Sequence, residues 1–70
     1  MDTAEQQLET IHESLVNGQR QQMVRQIDEY GLCDFWATYS RYLGELYYNP
    51  VTVLEYFQDA VVSYHRIKNR

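Results

Sequence analysis

Three breaks in the chain constrain its fold more than anything else. They fall at Asn17-Gly18, at Gly31 and at Asn49-Pro50. Between them, apolar residues recur three and four positions apart, the spacing of one face of an α-helix. Leu8, Ile11, Leu15 and Val16 follow Thr3-Ala4-Glu5-Gln6, which has the form of a capping box. Met23, Val24, Ile27 and Tyr30 mark a second stretch. The apolar phase nearly runs on through Gly18, so a single kinked helix over residues 4–30 competes with two helices. Gly31 suits a left-handed helix end, with Leu32 placed to fold back on the last turn.

Asp34 stands where it could cap a third helix with apolar positions Phe35, Trp36, Tyr39, Tyr42, Leu43, Leu46 and Tyr47. That stripe is wide enough to face two neighbours. Asn49 and Pro50 suit the cap and first position of a last helix. Thr52-Val53-Leu54-Glu55 offers a competing capping box. Val53, Leu54, Phe57, Ala60, Val61, Tyr64 and Ile67 form the last core stripe, and Trp36 is expected to be largely buried against it near Phe57 and Val61. Arg66, Lys68 and Arg70 complement the negative end of the helix dipole. The β-branched Val51-Thr52-Val53 and Val61-Val62 lie inside helical patterns, so no strand is expected. The fold class is therefore all-α, a compact bundle of three or four short helices forming a single domain over residues 1–70.

Size sets the next constraint. A chain of 8.4 kDa exposes about 12,000 Å² unfolded and about 4,600 Å² folded. With about 60% of the difference apolar, burial contributes about 110 kcal/mol. Ordering the chain costs about 105 kcal/mol. A lone monomer is marginal on these terms, and association with a second copy, as a homodimer, is the simplest remedy.

Hydrophobic residues make up 44% and charged residues 23% of the chain, a globular balance rather than a disordered one. No apolar run approaches the roughly 20 residues needed to span a bilayer, and Met1-Asp2-Thr3-Ala4-Glu5 lacks the features of a secretory signal. The expectation is a cytoplasmic protein without a membrane partner. The single cysteine, Cys33, reads as a small buried or half-buried residue, since no cation or histidine flanks it to activate a thiolate. The formal charge of −4 disfavours general nucleic-acid binding.

Glu5, Glu9 and Glu13 are spaced by four and share a helix face turned away from Leu8 and Leu15. They read either as a solvated face or as a phosphate-like stripe for a basic partner. Glu9-Thr10-Ile11-His12 places a carboxylate and an imidazole on one face, but a carboxylate-bridged metal bundle needs two such pairs, and His65 has no glutamate three residues before it. No metal and no other cofactor is expected.

Seven of the 70 residues are tyrosine. Tyr39, Tyr42, Tyr47, Tyr56 and Tyr64 fit core or core-rim positions, while Tyr48 points outward. An apolar ring with a wet tip suits a surface that becomes buried in a complex. No nucleophile–base arrangement or glycine-rich phosphate loop is present in the spacing, so the expected function is non-enzymatic protein binding. The candidate partner-binding residues are Tyr47 and Tyr48 on one side and Glu5, Glu9 and Glu13 on the other. A nucleic-acid-associated protein or DNA mimic is the alternative.

The stretch from Asn17-Gly18-Gln19-Arg20 to Tyr30-Gly31, then Asp34-Phe35-Trp36, and finally Ser63-Tyr64-His65-Arg66-Ile67-Lys68-Asn69-Arg70, resembles small tailed-bacteriophage proteins of uncharacterised function, including marine and cyanobacterial ones. The resemblance implies a bacterial host cytoplasm and a host protein as partner, with the chain as its modulator or inhibitor. It carries over no binding residues.

Overall fold

The computed structural model describes residues 3–70. They form four helices: α1 (Ala4–Val16), α2 (Arg20–Tyr30), α3 (Phe35–Leu46) and α4 (Pro50–Lys68). The described residues contain no strand.

Local chemistry sets most of the boundaries. Thr3 Oγ1 accepts the Gln6 amide at 3.2 Å, and Gln6 Oε1 accepts the Thr3 amide at 3.0 Å, closing the capping box. Gly18 has φ of 76°, and the helical phase stops there, which rules out the single kinked helix. Gly31 takes the left-handed conformation and its amide donates to the Ile27 carbonyl. Leu32 folds back to pack against the core. Asn49 Oδ1 accepts the Val51 amide at 2.9 Å with Pro50 at the first turn, so the competing box at Thr52 is not used.

Asp34 departs from expectation. It occupies the cap position of α3, but its φ of 49° and ψ of 49° place it in the left-handed region, and its side chain makes no capping bond. Aspartate tolerates that region better than most residues. The link from α2 to α3 thus reverses direction through two left-handed residues, Gly31 and Asp34. Cys33 lies exposed in that link, contrary to the buried or half-buried expectation, because the tight reversal turns it outward.

The helices pack as two hairpins, α1 with α2 and α3 with α4. The hairpins then meet through α2 against α4 and α1 against α3. Leu8, Ile11, Leu15, Met23, Val24, Ile27, Phe35, Tyr39, Leu43 and Ala60 fill the centre. Ser14 Oγ donates to Gln26 Oε1 at 2.8 Å between α1 and α2. Two ion pairs hold α2 to α4, Arg20 to Asp59 at 3.1 Å and Lys68 to Asp28 at 2.7 Å. Tyr64 donates to the other Asp28 oxygen at 2.8 Å. Lys68, then Tyr64, stabilises that carboxylate and holds its pKa below the usual range.

Three residues of the expected apolar stripes face solvent. Val16 is 51% exposed, Leu46 47% and Leu54 55%. Each lies on the edge of its stripe, and a bundle of only four helices has no neighbour to cover that edge. Trp36 is half-buried rather than largely buried. Its ring stands edge-on to Phe57 and to Tyr64 in α4, with centroids 5.9 and 5.6 Å away.

Candidate interaction face and its aromatic support

The candidate site sits where α3 turns into α4. Two positions on α3, Ser40 and Gly44, line one side of an open groove of about 760 Å³. Pro50, Val53, Leu54 and Phe57 of α4 line the other, and Tyr47 and Tyr48 close the end. The groove follows from the residues present. Gly44 brings no side chain to α3, and a Cβ built there would meet nothing within 4 Å. Ser40, one turn earlier, adds only a hydroxymethyl group.

Tyr48 stands at the rim with 97% of its surface exposed. Leu54 lines the same groove, and Leu46 and Val51 are exposed close by in the sequence. Together these make four of the six large apolar side chains exposed among the described residues, within nine positions of the chain. No charged residue lines the groove, although the chain carries six Lys or Arg and ten Asp or Glu.

The two candidate tyrosines have different roles. Tyr47 is half-buried and its hydroxyl is engaged inward, 2.8 Å from His12 Nε2. Tyr48, the next residue, has no such tie. The extended backbone at Tyr47 (φ −119°, ψ 128°) sends successive side chains to opposite sides. Tyr47 therefore supports the face from beneath, and Tyr48 is the ring available to a partner.

The support beneath the face is a feature the sequence reading missed. His12 is 5% exposed and lies among four tyrosine rings. Its Nδ1 is 2.8 Å from the Tyr39 hydroxyl, and its Nε2 is the same distance from that of Tyr47. A neutral imidazole donates from one nitrogen and accepts at the other, so either tautomer is satisfied by two hydroxyls. Tyr56 of α4 meets the ring edge-on at 5.0 Å and stacks on Tyr47 at 5.1 Å. One histidine on α1 thereby ties α3 and α4 together. Burial lowers the His12 pKa and raises those of Tyr39 and Tyr47. A signal was present in the sequence: His12 follows Leu8 by four and precedes Leu15 by three, on the apolar face.

This arrangement leaves no free ring nitrogen for the Glu9–His12 metal pairing, and Glu9 itself is exposed. The described residues hold no group of three or more His, Cys, Asp or Glu that could bind a metal. No helix among them is long and apolar enough to cross a membrane.

Glu5, Glu9 and Glu13 are all exposed along α1, and none pairs with a cation among the described residues. The structure does not bring them together with Tyr48: the groove is built by α3 and α4, and the stripe belongs to α1. No protein family, curated protein or solved structure matches the chain.

Proposed function

We propose that the chain is a non-enzymatic protein-binding module and that the α3–α4 groove with Tyr48 at its rim is the binding face. The observation carrying this reading is a nearly fully exposed tyrosine beside an uncharged apolar groove. Buried tyrosines in an interface contribute disproportionately to affinity, and a groove lined by apolar side chains offers the pocket such an anchor needs. The likeness to bacteriophage proteins supports a host protein as target, with the module acting as its modulator or inhibitor.

The test is photo-crosslinking in bacterial lysate, with a benzophenone amino acid placed at position 48 or at position 9. The expected result is a discrete protein adduct from position 48. It should disappear when Gly44→Leu fills the groove and persist in a Glu5/Glu9/Glu13→Gln triple variant. Adducts formed only from position 9 would overturn the assignment of the face.

One observation favours a second reading. Three unpaired carboxylates in line on α1 form an anionic ridge that a DNA-binding protein could take for phosphates. Binding led by that ridge weakens steeply with salt, whereas binding led by Tyr48 is nearly salt-independent. A steep salt slope that flattens in the triple variant, with Tyr48→Ala unaffected, would support the mimic.

A further inference from the structure

His12 joins two hydroxyls whose surroundings differ. Tyr39 is wholly buried, and its ring stacks on Phe35 at 5.4 Å. Among the described residues, the only hydrogen bond of its hydroxyl is the one to His12 Nδ1. Tyr47 is half-buried, lines the open groove and stacks on Tyr56. Its pKa is raised first by burial and then by Tyr56, whose hydroxyl neighbours its own.

A neutral imidazole is satisfied in either tautomer, but these hydroxyls are not. If Nδ1 carried the proton it would donate to Tyr39, and the Tyr39 proton would face the core with no acceptor. A buried, unpaired donor is costly and rare. If Nε2 carries the proton, Tyr39 donates to Nδ1 and Nε2–H donates to Tyr47. The Tyr47 proton then turns to Tyr56 or to solvent in the groove. We propose that His12 is held as the Nε2–H tautomer in a directed chain from Tyr39 through the imidazole to Tyr47, and that acid acts on this chain at Nδ1 alone, releasing Tyr39 while the bond to Tyr47 survives.

The proton comes from solvent and takes the Nδ1 lone pair that the Tyr39 hydroxyl had used. Nδ1 then donates towards a hydroxyl that was itself donating. Tyr39 must turn its proton away, among the rings of Phe35 and Tyr42 that stack on its own. Nε2–H donates to Tyr47 in both states. Acid therefore loosens α1 from α3 at Tyr39 and leaves in place the residue that closes the end of the groove, whatever partner the groove takes.

The titratable groups around the ring leave this polarity undisturbed. Tyr39 and Tyr42 face it from α3, Tyr47 from just after α3 and Tyr56 from α4. Its hydrogen bonds and ring contacts involve no residue of α2. Burial, then Glu9 and Glu5 of α1, raise the Tyr42 pKa. Burial raises that of Tyr39, and Tyr47, Tyr42, Asp59 and Tyr56 add to it. Asp59 of α4 accepts from Arg20 and Ser63 and makes no bond to Tyr39. No carboxylate bonds the imidazole to favour its cation.

Nitrogen-15 NMR of the folded chain tests the proposal, with ring-labelled histidine and the exposed His65 replaced (His65→Gln) so that His12 alone reports. Near neutral pH the Nε2–H tautomer is expected. Tyr39→Phe removes a bond that only the neutral ring accepts, so the His12 titration should move up by at least about half a pH unit. Tyr47→Phe removes an acceptor that the cation uses more strongly, so the titration should move down by about as much. With Tyr39 and Tyr47 intact, the ring Cζ signal of Tyr39 should follow the His12 titration and that of Tyr47 should move much less. The tautomer is read without either phenylalanine variant, so it decides even if one of them unsettles the fold. An Nδ1–H tautomer overturns the inference, as does a shift of both variants in the same direction. A Tyr47 signal that follows the titration while Tyr39 stays still overturns the acid step, and so does a histidine that remains neutral until the helices melt.

Discussion

At the scale of one residue, His12 concentrates more consequence than any other side chain. Both its nitrogens bond tyrosine hydroxyls inside the bundle, facing Tyr39 and Tyr42 of α3, Tyr47 just after it and Tyr56 of α4. Burial disfavours its charged form and lowers its pKa below the usual 6.5. In the unfolded chain the histidine protonates at its ordinary value, so below that pH the unfolded state holds more protons than the folded one. Its contribution is therefore complete above about pH 6.5 and declines as pH falls towards the folded-state pKa. Urea midpoints measured from pH 8 to pH 5 should fall in wild type. In His12→Phe the acid slope should be reduced and the stability at pH 8 lower by about 2–3 kcal/mol, because two hydroxyls lose their partner. An unchanged slope in that variant would place the pH dependence elsewhere.

Element boundaries were the most legible part of the chain. Thr3 with Gln6, Asn17-Gly18, Gly31 and Asn49-Pro50 act through hydrogen bonds and dihedral preferences within a few residues, and each ends or starts a helix as its chemistry dictates. Asp34 shows the limit of that reasoning. Its type suggested a cap, but the reversal after Gly31 needs a left-handed residue there, and geometry outweighed side-chain preference. Glycine meets that demand without a Cβ. Asp34→Gly should therefore raise stability by up to about 1 kcal/mol and Asp34→Ala should lower it by a similar amount. Thermal melts of the three proteins decide this. If glycine destabilises as much as alanine, the carboxylate is contributing in a way its geometry does not reveal.

For the whole molecule, what the sequence could not display is what joins helices distant along the chain. His12 bonds residues 27 and 35 positions away, and neither spacing leaves a local mark. The outward turn of Leu46 and Leu54 was hidden for the same reason. Periodicity tells which residues share a face, but the number of neighbours decides how much of that face is covered. Tyr48 was legible as an outward ring, whereas the groove beside it depended on which α4 residues come to lie opposite Ser40 and Gly44. Farther along the same seam, at the start of α3, Trp36 stands edge-on to Phe57 and Tyr64. Trp36→Ala should cost about 2–4 kcal/mol, less than full burial would imply. For a fold whose total stability is of order 3–10 kcal/mol, such a loss shifts the urea midpoint far, and circular dichroism will follow it. A loss below about 1 kcal/mol would mean the two helices hold together without the indole.

The histidine hub also shapes how a lineage carrying this fold can change. Residues 12, 39 and 47 form one hydrogen-bonded unit drawn from separate stretches of the chain. Losing the imidazole alone strands two hydroxyls, whereas losing imidazole and hydroxyls together leaves an apolar centre of similar volume. Losing either hydroxyl alone strands a buried imidazole nitrogen in the same way, so the imidazole and its two hydroxyls are kept or lost together. Drift at these three positions should be correlated, while the neighbouring surface of α1 can diverge freely.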